Sequence, residues 1–545
     1  MHGQIIDTLW DVVVIGTGPS GINAAQTLVE AGLKVLAIDA GKTSKYEQEV
    51  FKDTNFLDFR KNNKEQKKHL LGKNFESINL EKTKIGAQLT PQRKHLVEDV
   101  DKFFKTNFPD QSSSSNAFQN FETLATGGLG VAWGLGCCEF SDQELSACGL
   151  DINEMKESYQ LITNRIGISK ADENVKNYTL KNSETNQSSL ELDNIHKSID
   201  KKFSKNKKNF NDKGFYAGKP SLAVITKDKE DRKAEKYDEL GFYSDYHKSA
   251  YRPQVTLDIL NKKDNFSHLN GFLCQSFTEK EGSEKNIEVN LINVENKNND
   301  KQNYKLQTKK LILTASPFGN ARIILKSFPQ INSLPILSNP YSYLTAIVPR
   351  FIGKFNQDKR TSHVQYSAFY DPEKNNFGAS MASFYSYRSL MLFRTTQEVP
   401  LAIKDSISIM KSLLHGTIIL GIHHPDKGDG KRELSLKTDN TLNIKFNYSD
   451  EIKSLSKIRN KKFKKFLFSL GIIPLKTINP GPGSSIHYAG SLMDYVEKNG
   501  RLKVNNNVYV ADGSAFKYLP AKGLTLSLMA NANRVAKHLI TDLNK

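Results

Sequence analysis

Long apolar runs, cysteine and tryptophan are all scarce in this chain of 545 residues. No stretch of roughly 18 or more apolar residues occurs, so the sequence offers no membrane-spanning helix. The first ten residues lack a basic region followed by an apolar stretch and lack a twin arginine. A cleaved export signal is therefore not expected, and the cytoplasm is the expected location. The four cysteines, Cys137, Cys138, Cys148 and Cys274, show no CxxC spacing, which excludes the usual zinc and iron–sulfur patterns. The adjacent Cys137 and Cys138 read as reduced packing thiols. No carboxylate stands at metal spacing near the pair His423–His424, so no metal site is expected, and that pair reads as a strand end or loop, with substrate contact as the alternative.

Acidic residues are also in deficit: 59 Asp and Glu against 77 Lys and Arg leave a net charge of +18. The excess is mostly lysine scattered among asparagines. No basic helix with interleaved aromatics and no nucleic-acid motif accompanies it, so nucleic acid is not expected as a partner. The charge reads as solvated surface, with an acidic or phosphorylated substrate as the alternative. A peripheral contact with a membrane surface stays open through the amphipathic segment 401–416.

What is present is enough apolar material, 38% of residues, for a folded chain of two domains. Residues 11–41 read as strand, loop, helix and strand. Alternating patterns predict strands over 271–277, 286–294, 303–315, 343–351 and 441–449, and a helix over about 398–414. Segments 42–115 and 170–245 are polar and read as insertions. The end of the chain, 508–514 and then 523 onward, reads as strand, turn and helix.

The segment 11-DVVVIGTGPSGINAAQTLVEAGLKVLAIDAG-41 carries the strongest local pattern. Val12 to Ile15 suit a buried parallel strand. Gly16, Gly18 and Gly21 form GxGxxG, which permits a tight turn, close approach of a pyrophosphate and close helix–strand packing. The helix that follows aims its N-terminal N–H groups at the phosphates, and Ala24, Ala25, Leu28 and Val29 give it a sheet-facing stripe. Asp39 ends the second strand, where a carboxylate accepts hydrogen bonds from ribose hydroxyls. The motif implies a dinucleotide without a 2′-phosphate and leaves FAD and NAD undecided.

The C-terminal segments 485-SIHYAGSLMD-494 and 500-GRLKVNNNVYVADGSAFKYLPAKGLTLSLMANANRVAKHL-539 resemble the glucose–methanol–choline (GMC) oxidoreductase family, in a branch associated with sugar metabolism. The stretches 126-TGGLGVAWGLGCCEFSDQEL-145 and 311-LILTASPFGNARIILKS-327 resemble further segments of that family, and their order along the chain agrees. The resemblance implies an α/β protein with a Rossmann-like FAD-binding domain and a substrate domain built on a mainly antiparallel sheet. The FAD-binding domain is expected over 1–330, interrupted by the insertions at 42–115 and 170–245. The substrate domain is expected over 331–477, and 478–545 return to the first domain.

The resemblance also implies FAD and oxidation of a C–OH group of a sugar or other alcohol by hydride transfer to flavin N5, most simply as a dehydrogenase with an unidentified electron acceptor. Gly127, Gly128 and the backbone to Trp133 would lie along the cofactor, with a core role as the alternative for Trp133. Asp512 and Gly513 would sit by the ribityl and phosphate region. Gly523 and Leu524 open a helix whose N-terminus would face the flavin. His487 matches the active-site histidine, suited to removing the hydroxyl proton.

Two departures stand out. Gly523 falls where the family carries a second histidine or asparagine, and Lys522 beside it is the candidate substitute, with an ordinary exposed lysine as the alternative. Ser316 stands where a glycine is usual. The competing readings are a flavin-dependent reductase or isomerase without net alcohol oxidation, and a non-catalytic flavoprotein subunit.

Overall fold

The computed structural model describes residues 5–41, 64, 113–115, 117–237, 247–280, 286–294, 303–354, 358, 360, 363–386 and 402–544. Most of the expected insertion at 42–115 lies outside the described residues.

The chain opens with β1 (Trp10–Ile15), α1 (Pro19–Glu30) and β2 (Val35–Asp39). Next come α2 (Asp142–Cys148), α3 (Ile152–Ile166), α4 (Asn194–Lys205) and β3 (Phe215–Gly218). Strands β4 (Phe266–Asn270), β5 (Phe272–Glu279), β6 (Ile287–Asn293) and β7 (Asn303–Leu313) lead into α5 (Ser316–Ser327). Then follow β8 (Tyr341–Ile347), β9 (Tyr366–Tyr370), β10 (Ser380–Ser386), α6 (Ile403–Leu413) and β11 (Thr417–His423). The chain closes with α7 (Asp450–Ser469), β12 (Ile473–Ile478), β13 (Arg501–Leu502), β14 (Asn505–Val510) and α8 (Thr525–Leu543).

The first sheet has eight strands in the order β13-β14-β7-β1-β2-β4, with the β5–β6 hairpin attached through β6 to β7. Strand β1 runs parallel to β2 and β7, and β14 parallel to β7. The last strand and helix therefore complete the sheet begun by the first strand, as the sequence implies. From Val12 to Ile15 strand β1 is apolar because both of its faces are covered there. Val12 and Val14 pack with Leu28 of α1 and Val535 of α8. Val13 and Ile15 pack on the other side with Phe318 and Ile324 of α5.

The second sheet has six strands in the order β12-β8-β11-β10-β9-β3, all pairs antiparallel. Its side chains alternate with a period of two. Leu344, Phe384, Leu420 and Ile422 face α4 and α7, where they meet Ile199, Phe203, Phe463 and Phe466. Tyr341, Tyr343, Met381, Ser383, Tyr385 and His423 face the other way, into a cavity shared with the first sheet.

The described part of the expected insertion, 170–237, is shared between the two cores: α4 packs beneath the second sheet and β3 is its edge strand, whereas Leu222, Ala223 and Val224 pack with α2 and α3. Its Lys- and Asn-rich surface hides a core-facing stripe, Ile195, Ile199 and Phe203, at helical spacing. Strand Leu442–Phe446 forms as expected, but in a separate small sheet with Arg432–Leu436. The expected helix over 398–414 is α6, which starts at Ile403.

Candidate active site

A cavity of about 360 Å³ lies between the two sheets. Gly16, Gly18, Asp39, Gly128, Trp133, Asp512, Gly513, Gly523, Leu524 and His487 all line it. Gly21 and Gly127 stand behind that wall. Gly21 is needed for packing: a Cβ there would lie 1.9 Å from the Gly16 carbonyl oxygen.

Two helix N-termini open on this cavity, and neither has a side-chain cap. Helix α1 follows Gly18 with Pro19 and Ser20 on the wall, and α8 follows Leu524 with Thr525 on the wall. Helix starts leave backbone N–H donors unsatisfied and carry partial positive charge. The cavity thus presents two anion-seeking ends, one beside the glycine loop and one beside His487. A dinucleotide whose pyrophosphate is anionic and whose redox-active ring becomes anionic on reduction fits this donor set.

Asp39 lies on the same cavity wall. Thr17 Oγ1 donates to its carboxylate, Gly41 N donates at 2.8 Å, Thr126 Oγ1 at 3.3 Å, and His268 Nε2 lies 3.1 Å away. A carboxylate offers about four acceptor sites, so a ribose hydroxyl would enter by replacing the longer contacts. Thr17 Oγ1 also accepts from Gly127 N at 3.0 Å, which ties the glycine loop to the 126–133 segment.

Asp512 is fully buried and accepts from Ser316 N at 3.0 Å, Ser514 N at 2.9 Å and Asn320 Nδ2 at 3.0 Å. Burial nevertheless dominates and pushes its carboxyl up to about 6. Ser316 has φ of +67°, in the left-handed region. That conformation accounts for the glycine usual at this place, and the hydrogen bond to Asp512 holds the serine there.

His487 follows Ile486, whose φ is +61°. A β-branched residue in that region is strained, a feature that concentrates at functional sites. The preceding turn is pinned by Tyr488, whose hydroxyl donates to Gly483 O at 2.8 Å. His487 Nδ1 lies 3.0 Å from Asn339 Oδ1. The amide of Asn339 is oriented by its own Nδ2, which donates to the carbonyl oxygens of His424 and Leu519 at 2.9 and 3.1 Å. Its Oδ1 must therefore accept, Nδ1 of the neutral imidazole carries the proton, and Nε2 carries the lone pair.

The ring of His423 stacks on that of His487, with centroids 4.6 Å apart and planes 17° apart. Tyr341 also packs against His423, with ring centroids 4.5 Å apart. His424 turns away, between Ser380 Oγ at 2.8 Å and Asn460 Oδ1 at 3.1 Å, and burial drives its pKa down to about 3. The sequence gives no reason to separate these two histidines. Strand alternation does so: His423 is the last residue of β11 and faces the cavity, and the residue after it points to the opposite side. Asn339 and His268 are likewise absent from the sequence reading. Each acts through a neighbour distant in the chain.

Lys522 is a correction. It does not line the cavity. Its Nζ sits 2.7 Å from Glu144 Oε2, with both side chains 1% exposed. Glu144 is also the capping-box residue of α2. The buried carboxylate, which also accepts from Ser141 N at 2.8 Å, holds the lysine away from the cavity, and the Lys522 Nζ donates further to Glu139 O at 3.3 Å. Nor does Gly523 leave room for the missing side chain, because a Cβ there would meet Gly136 O at 2.5 Å.

Trp133 lines the cavity and donates from Nε1 to Tyr251 O at 2.9 Å. All four cysteines are reduced and buried, and burial raises the Cys138 thiol to about 11. Among the described residues no group of three or more metal-ligating side chains occurs, and no helix is long and apolar enough to cross a membrane.

The profile of the family described as Pyridine nucleotide-disulphide oxidoreductase matches residues 10–195. Among solved structures, the crystal structure of pyridoxine 4-oxidase from Mesorbium loti is similar, with a TM-score of 0.56 and 11% sequence identity over 97% of this chain and 98% of that chain. No curated protein matches the chain in sequence. The likeness establishes the fold, a parallel dinucleotide-binding sheet with an antiparallel second domain, which is the architecture that the GMC resemblance implies.

Proposed function

We propose that this protein is an FAD-dependent oxidoreductase of GMC type that oxidises the C–OH group of a sugar or other alcohol. The observation that carries the reading is His487: a histidine held in one tautomer by Asn339, on the wall of the cavity that the glycine loop and the α8 N-terminus share.

The Gly16–Ser20 loop and the start of α1 would hold the pyrophosphate, and Asp39 the ribose. Asp512 and Gly513 would flank the middle of the cofactor, with the start of α8 at its reactive end. FAD, when bound, supplies the two-electron acceptor for the hydride of the carbinol carbon. His487 takes the hydroxyl proton at Nε2, which raises electron density on the oxygen as the C–H bond breaks. The α8 N-terminus stabilises negative charge that develops beside it. Tyr341, Tyr343 and Tyr385 wall the substrate end and exclude water from it.

The test is anaerobic photometry of the purified protein with a panel of alcohols and sugars. Pyridoxine belongs in the panel, since it is named for the structural neighbour. Bleaching of bound flavin by a member of the panel supports the reading. Bound FAD that only NADH or NADPH bleaches would make the protein a reductase. The reaction is written as that of a dehydrogenase, and oxygen uptake during turnover would make it an oxidase.

A further inference from the structure

We propose that His423 is the second catalytic imidazole of this site, donating a hydrogen bond to the alcohol oxygen whose proton His487 removes. The proposal rests on the alcohol-oxidation reading above.

The start of α8 cannot supply such a group. Gly523 packs its backbone on Gly136 O, and Lys522 is spent on Glu144. The second sheet fills the gap from the opposite wall. In the ladder His423 pairs with Tyr341 on one side and Met381 on the other, so its register is fixed twice. All three face the cavity. Gly421, two residues earlier on the same face, leaves space for Tyr341: a Cβ there would meet the tyrosine hydroxyl oxygen at 2.6 Å. The Tyr341 ring is thereby seated against His423 and holds it on His487.

The stacking geometry suits a shared oxygen. Rings 4.6 Å apart and nearly parallel allow one oxygen at roughly 2.8 Å from a nitrogen of each. In the step, the C–H bond breaks with its electron pair passing to FAD, the O–H proton passes to His487 Nε2, and the C=O bond forms. His423 donates its hydrogen bond throughout and exchanges no atom. The catalytic pair then spans both domains, with His487 carried by the returning chain and His423 by the substrate sheet.

The experiment uses FAD-loaded full-length protein and the best alcohol from the panel, and reads the anaerobic rate of flavin reduction. His423→Leu, which keeps bulk and removes the donor, is expected to retain FAD and to reduce it about 100-fold more slowly. His423→Asn, which keeps a donor, is expected to stay within about tenfold of the wild type. His423→Ala with added imidazole is expected to recover rate, and it carries the test if the leucine variant fails to fold.

Wild-type reduction by His423→Leu would overturn the proposal. So would equal loss in the leucine and asparagine variants without rescue by imidazole, which marks a packing role. A slow His487→Ala beside a normal His423→Leu defeats the His423 assignment alone. Normal rates in both defeat the base role of His487 as well, and a wild-type flavin that no alcohol of the panel reduces defeats the alcohol-oxidation reading itself.

Discussion

His487 Nδ1 lies 3.0 Å from Asn339 Oδ1, and this contact leaves Nε2 as the ring nitrogen that would act as base in the proposed reaction. Asn339 is 1% exposed and its Nδ2 is committed to backbone carbonyls. It is a positioning residue. Asn339→Leu removes the acceptor, frees the other tautomer and is expected to slow flavin reduction by about 10- to 100-fold with FAD retained. Asn339→Asp places a negative charge beside the ring, which favours the imidazolium and raises the histidine pKa. Because the base must be neutral, the acid limb of the rate profile is expected to move to higher pH. A profile unchanged in Asn339→Asp would remove Asn339 from the mechanism.

Lys522 and Glu144 form a pair with both side chains 1% exposed. Removing one partner strands a buried charge. Lys522→Met is expected to destabilise the protein by about 3–5 kcal/mol, and the double variant with Glu144→Gln to recover much of that. Glutamine keeps the capping box of α2. Once loaded with FAD, both variants are expected to reduce flavin at near wild-type rate. A selective loss of rate in stable Lys522→Met would return the lysine to the active site.

At Gly523 a side chain is expected to be harmful. Gly523→Ala must push its Cβ against Gly136 O. Overpacking of this kind costs about 1–3 kcal/mol, and here it displaces the start of α8, so reduced FAD occupancy is expected with a lower Tm. If Gly523→Asn folds normally and gains activity, the close approach to Gly136 is not a constraint.

Asp512 makes stability depend on pH in a stated direction. Burial lifts its carboxyl to about 6 from the ordinary aspartate range. Between about pH 4 and pH 6 the unfolded chain has released this proton and the folded chain still holds it, so the contribution of Asp512 to stability falls as pH rises. The full effect is on the order of 3 kcal/mol. Asp512→Asn titrates in neither state. In calorimetry of the FAD-free proteins, the Tm of the variant minus that of the wild type is expected to grow more positive across that window. A constant difference would place the carboxyl in its usual range.

Local pattern pointed to the glycine loop and Asp39, and the family resemblance to Asp512 and His487; the structure brings all of these segments to the wall of one cavity. The parallel sheet and the returning C-terminal helix followed from the same segments. Residues that act through distant partners were not legible. Asn339 meets His487 across nearly 150 positions, and His423 reaches it only through the ladder β10–β11–β8. Lys522 was misread for the same reason, since Glu144 lies far away in the chain. The place of α4 and β3 in the second domain was hidden by surface lysines covering a sparse apolar stripe.

The central claim is that His487 is the base in an FAD-dependent alcohol oxidation. Stopped-flow reduction of FAD-loaded His487→Gln by the best alcohol, under anaerobic conditions, tests it most directly. The account predicts an unchanged FAD content and spectrum with reduction slowed by at least about 100-fold. Reduction of the bound flavin at the wild-type rate would contradict it.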